Sequence, residues 1–83
     1  MEEAASMARN ETSGSDFDAA RRALAALYLR VATTLERSAD LSEQHAARLW
    51  RTGKDKLATG ELERAEQARA AAQRGRDLAA RMQ

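Results

Sequence analysis

Ser42 and His45 stand three residues apart, a spacing that on a helix lets a hydroxyl meet an imidazole. A histidine so placed can take the serine proton and turn the oxygen into a nucleophile. Acyl transfer would also need an oxyanion hole and a group that orients the imidazole, and the spacing supplies neither. No residue is therefore expected to be catalytic, and the chain reads as a non-enzyme. With Ser38, the pair forms a polar notch between Leu35 and Leu49. Such a notch inside an apolar stripe fixes register or seats a water, because buried polar groups need partners that a slipped pairing lacks. A ligand pocket is the competing reading.

His45 is the only histidine and cysteine is absent, so a zinc site would have to be built from carboxylates in unusual numbers. No metal and no cofactor are expected. Glu36, Asp40 and Glu43 cluster on one side of the first helical segment without the Glu-x-x-His pair of ferritin-like sites, and read as a solvated acidic patch. Arg69, Gln73 and Asp77 follow at four-residue steps on the polar side of the second segment. Their order resembles the last three members of the E-x3-S-x2-R-x3-Q-x3-D signature with which the RsiG family of actinobacterial anti-sigma factors holds cyclic di-GMP on an antiparallel coiled coil. The resemblance covers nine residues. It implies a nucleotide contact at Arg69, Gln73 and Asp77, while the two preceding positions hold Leu62 and Glu66 where the family has glutamate and serine, and Glu66 would bring a negative charge near a phosphate.

The elements that must carry these residues are helical. Of 83 residues, 20 are alanine, Val31 is the only valine, and isoleucine and proline are absent, so little is available for a sheet. Residues 1–14 lack periodicity, close on Thr12-Ser13-Gly14, and are expected to be a disordered tail outside a domain spanning 15–83. Ser15 with Asp18 three residues on resembles a capping pair and predicts a helix start. From Asp16 to about Thr52 the pattern admits one helix of roughly 55 Å. Asp40 with Glu43 three residues later offers a second start at Leu41, which would give three helices. Phe17, Ala20, Leu24, Leu27, Tyr28, Val31, Leu35, Ala46 and Leu49 share one face of the long helix. Gly53 is a natural left-handed stop and Gly60 a second break, so the connection is predicted over Arg51–Gly60 and the second helix over about Glu61 to Arg81. Glutamates gather at the start of that helix and arginines toward its end, as the helix dipole favours.

The expected fold is all-α: an antiparallel hairpin of a long first helix and a shorter alanine-rich second one. Closure around residues 53–59 would set Leu49 near Leu62, Ala46 near Ala65, Leu35 near Gly75 and Val31 near Ala79, large against small throughout. The first helix outruns the second, leaving Phe17, Leu24, Leu27, Tyr28 and Val31 as an association surface, and the prediction is a homodimer forming a four-helix bundle. Trp50 is expected to cap the core beside the connection. Arg30, Arg37 and Arg48 form a basic ridge that a partner could read.

Composition narrows the function. Net charge is +1 from 14 basic and 13 acidic side chains, which leaves no excess of cations to displace counterions from a polyanion, so nucleic acid is not an expected partner. No apolar run approaches the length of a membrane span, and the start lacks the pattern of a signal peptide, so a cytoplasmic protein is expected. Arginine outnumbers lysine 12 to 2, which with the alanine content suggests a GC-rich bacterial genome. What remains is a small protein-interaction module of the regulatory or adaptor kind, binding itself and another protein. The alternative is a regulator that answers a nucleotide messenger or nucleic acid through the arginine-rich second helix.

Overall fold

The computed structural model describes the backbone of residues 2–83 and the side chains of residues 14–83. The chain forms two helices packed against each other, α1 (Glu2–Arg51) and α2 (Asp55–Met82), in a rod of 77 × 14 × 14 Å, with no strand among the described residues. The all-α hairpin of unequal helices is thus the architecture found. α1 passes through Asp40 and Leu41 without a break, so no third helix starts there. It also passes through Ser15, which is an interior residue and not a cap; the helix begins at Glu2. The expectation of an idle tail over residues 1–14 falls almost wholly on side chains outside the described residues.

The connection is shorter than the glycines suggest. Gly53 has φ +75°, the left-handed conformation in which a Cβ is strained. The Gly53 amide donates to the Trp50 carbonyl at 3.1 Å and the Lys54 amide to the Leu49 carbonyl at 2.9 Å, the paired bonds of a Schellman ending. The Thr52 hydroxyl adds a bond to the Leu49 carbonyl at 3.0 Å. With those carbonyls satisfied, α2 starts at Asp55, whose carboxylate sits in its first turn. Gly60 therefore lies inside α2. A lone helical glycine costs only about 1 kcal/mol, which a helix packed along its length can absorb.

The early closure moves the register by one heptad. The buried residues are Ala25, Ala32, Ala39 and Ala46 of α1 and Ala58, Ala65, Ala72 and Ala79 of α2, a strict seven-residue repeat on each strand of the hairpin. About the turn at Thr52–Lys54, Ala46 comes level with Ala58, Ala39 with Ala65, Ala32 with Ala72 and Ala25 with Ala79. Ala65, expected beside Ala46, pairs one heptad away. The seam is therefore methyl against methyl, and among the described residues no side chain larger than alanine is fully buried. The expected layering of large against small is corrected accordingly: Tyr28, Leu35 and Leu49 flank the seam half-buried, and Leu24, Leu27 and Val31 lie outside it. The helices lie close enough that a Cβ on Gly75 would rest 3.4 Å from the Tyr28 carbonyl oxygen and 3.7 Å from the Ala32 Cβ.

Candidate functional site

An antiparallel seam has two flanks, each made by the same heptad position of both helices. On one flank stand Glu36 and Glu43 of α1 with Arg69 and Arg76 of α2. Arg76 Nε donates to Glu36 Oε1 at 2.7 Å. Arg69 spans two carboxylates, donating through Nη2 to Asp40 Oδ1 at 2.8 Å and to Glu43 Oε1 at 2.7 Å. The hydrogen bond from Arg76 holds the Glu36 carboxyl below the usual carboxylate range, and the bonds to Asp40 and Glu43 hold Arg69 above its ordinary value. Glu36, Asp40 and Glu43, read from sequence as a solvated patch, do remain open to solvent and are in addition partners of α2 across the seam. Farther toward the turn the same flank carries Trp50 and Leu62, both exposed, Trp50 by 48%; Trp50 is thus not enclosed in a core.

On the other flank the residues immediately before the seam alanines line up: Leu24 and Val31 of α1 with Ala71 and Leu78 of α2. Phe17 continues that row one heptad before Leu24, and Leu27 lies beside it on the outer side of α1. Leu24, Leu27, Val31 and Leu78 are exposed by between 37% and 49%, and Phe17 by 64%. Tyr28 is half-buried and joins this surface to the seam. The structure thus gathers Phe17, Leu24, Leu27, Tyr28 and Val31 on one side of the open end, and adds Leu78, which the sequence analysis left out. Its position one residue before Ala79 was the available signal.

The apolar row stops where the polar notch begins. Ser38 and His45 hold the next two places on the flank and are exposed, while Ser42 is half-buried between them. His45 Nδ1 lies 3.6 Å from Glu61 Oε2, and Arg64 Nη1 donates to Glu61 Oε1 at 2.7 Å. Glu61 is the least exposed of these carboxylates, its side chain open by 15%. The notch therefore lies along the edge of the seam and is not enclosed in it. Its histidine faces a carboxylate on the other helix. A shallow groove follows these residues with Leu41 and Arg48.

Arg69, Gln73 and Asp77 are dispersed in their contacts. Arg69 is held by the two α1 carboxylates, and Gln73 Nε2 donates to Asp77 Oδ1 at 2.9 Å. An anion approaching Arg69 would meet Asp40 and Glu43 first. Arg30 and Arg37 line a groove on the back of α1 with Leu29, Thr33 and Thr34. Among the described residues no three histidine, aspartate or glutamate side chains gather as a metal ion requires, and no helix is long and apolar enough to cross a membrane. No family model, no curated protein and no solved structure matches this chain.

Proposed function

We propose that this chain is a non-enzymatic helical interaction module of the regulatory or adaptor kind, working through the apolar face of Phe17, Leu24, Leu27, Tyr28 and Val31 at its open end. One observation carries the reading: among the described residues the hairpin fully buries only alanines, while Phe17, Leu24, Leu27 and Val31 stay exposed side by side at its open end. A buried leucine contributes about 1.5–3 kcal/mol and a buried methyl about 0.8 kcal/mol. Between about two-fifths and two-thirds of the surface of Phe17, Leu24, Leu27 and Val31 is thus still open to burial after the hairpin closes. An exposed contiguous face of this kind marks an association surface, and joining two hairpins along it makes a four-helix bundle. Among the described residues no acid, base and nucleophile converge, which favours a binding role over a catalytic one.

Site-specific photo-crosslinking in the cell that makes the protein tests the reading. A reactive side chain at position 27 is expected to capture a protein, whether another copy or a different chain, several-fold more efficiently than one at the equally helical position 37 on the back of α1. Equal, background-level capture at both positions would overturn it.

A further inference from the structure

We propose that the occupant of the open-end face is a second copy of this chain, packed antiparallel so that Phe17 of each copy, between Asp16 and Asp18, seats against Leu78 of the other between Arg74 and Arg81. The inference rests on the interaction-module reading and adds to it the partner and its register. Charge complementarity carries it. Arg74, Arg81 and Asp77 surround Leu78 in a shallow pocket, and Gln73 engages Asp77. Arg69 and Arg76 are taken up by carboxylates of α1, whereas Arg74 and Arg81 have no ion-pair partner among the described residues. The rim of the Leu78 pocket therefore carries surplus positive charge. Asp16 and Asp18, on either side of the most exposed aromatic, likewise lack a partner among the described residues. An apolar knob with an acidic collar thus exists beside an apolar hollow with a basic rim.

The two cannot meet within one hairpin. Arg21 Nη2 donates to the Met82 carbonyl at 3.3 Å, which puts the end of α2 level with Arg21. Phe17 lies past that end, and Leu78 lies a turn inside it, level with Leu24 and Ala25. The axial gap is about 10 Å or more at 1.5 Å per residue. Rotating a second copy about a two-fold axis near Arg21 and Arg22 closes the gap twice, once for each Phe17, as a self-complementary interface demands. It also sets Phe17 of each copy near Leu24 and Leu27 of the other, so Phe17, Leu24, Leu27 and Leu78 are covered by one operation. At each level that assembly holds both copies of α1 and one α2, because the two α2 ends meet near the axis at Arg21, so its cross-section has three helices in place of the four of a fully side-by-side pairing.

The chain has no cysteine, so introduced cysteines report geometry directly. A disulfide needs Cα atoms within about 7 Å, which the intramolecular gap forbids. Purified F17C mixed with L78C is expected to give an oxidised heterodimer, with far less disulfide from either alone. By sedimentation the wild-type chain is expected to be dimeric at micromolar concentration. D16K/D18K and R74E/R81E should each weaken dimerisation at least tenfold with helicity retained, and the four changes together should restore it. A monomeric wild type, or a dimer indifferent to the charge reversals and crosslinked from F17C to F17C, would overturn the proposal. Capture of a different protein from position 27 with a monomeric purified chain would sink this inference and leave the interaction-module reading standing.

Discussion

Gly75→Ala tests the alanine seam at its tightest point. The new Cβ would lie 3.4 Å from the Tyr28 carbonyl oxygen and 3.7 Å from the Ala32 Cβ, at the near limit of ordinary van der Waals contact. Two favourable effects then add. Replacing a mid-helix glycine by alanine gains about 0.8–1.0 kcal/mol of helix propensity. Removing part of a methyl from water gains up to about 0.8 kcal/mol more, roughly half of that at a half-buried position. Gly60→Ala is the reference, since nothing lies within 4 Å of its Cβ, and it should show the propensity gain alone. G75A is therefore expected to exceed G60A by about half a kcal/mol, and both to exceed wild type. At about 4–8 °C of Tm per kcal/mol for a domain of this size, both shifts are measurable by circular dichroism at one fixed protein concentration. Gly75→Leu should reverse the sign by wedging the helices apart, at a cost of about 1–3 kcal/mol, while Gly60→Leu should not. A G75A gain no larger than that of G60A together with a G75L protein as stable as G60L would refute the close approach of α2 to Tyr28 and the register with it.

Ala39→Leu, at the middle of the seam, is expected to lose about 1–3 kcal/mol in urea denaturation by overpacking; an unchanged midpoint would mean that Ala39 is not enclosed. Gly53→Ala places a side chain at φ +75° and should lose about 1–2 kcal/mol, seen as a lowered Tm, with no loss if the turn relaxes to another conformation. Acid should weaken the hairpin through Glu36, whose carboxyl is held low by the hydrogen bond from Arg76. A depressed folded-state pKa contributes stability that is fully present above the unfolded value, near 4.3 for glutamate, and is lost as pH falls through the folded value. Wild type should therefore exceed Glu36→Gln in Tm at pH 7 and converge on it at the acid end, and a gap that stays constant with pH would contradict the pairing.

The helical class and the hairpin were legible because proline is absent, strand formers are scarce and Gly53 marks a left-handed stop. Ala46, Ala65 and Ala79 were readable as seam residues, but the rest of the α1 stripe and the register were not, for a reason of magnitude. Hydrophobic periodicity weights the large side chains, and Leu24, Leu27, Val31 and Leu49 dominate any such reading of α1. Yet Ala25, Ala32, Ala39 and Ala46 repeat every seven residues just as Ala58, Ala65, Ala72 and Ala79 do, and a matched heptad in both helices fixes register more tightly than either stripe alone. Gly60 misled in the same way. Its propensity cost is about 1 kcal/mol, less than the packing that carries α2 through it. The apolar stripe of the open-end face was readable, but only Phe17 owes its exposure to the overhang; Leu24, Leu27 and Val31 lie alongside α2 and are exposed on its flank, and Glu36, Asp40 and Glu43 could not be matched to Arg69 and Arg76 until the register was known.

The small core and the exposed face are one physical fact. Had leucines filled the seam, the helices would stand farther apart and the residues preceding it would project from two separate surfaces. Alanine lets the backbones approach toward the near end of the usual 8–10 Å range, as the 3.4 Å gap above Gly75 reflects. At that spacing Leu24 and Val31 of α1 merge with Ala71 and Leu78 of α2 into a single flank. At the level of the open half of the hairpin the opposite flank carries the polar ladder of Glu36, Glu43, Arg69 and Arg76, and its exposed apolar side chains, Trp50 and Leu62, lie toward the turn. The boundary at Ser38 and His45 then limits the contact to the open end, because a partner extended toward the turn would have to desolvate the His45, Glu61 and Arg64 cluster. In the proposed dimer, the ion-pair ladder on one flank and the polar stop between the open-end face and the turn would hold association to a defined length of one surface.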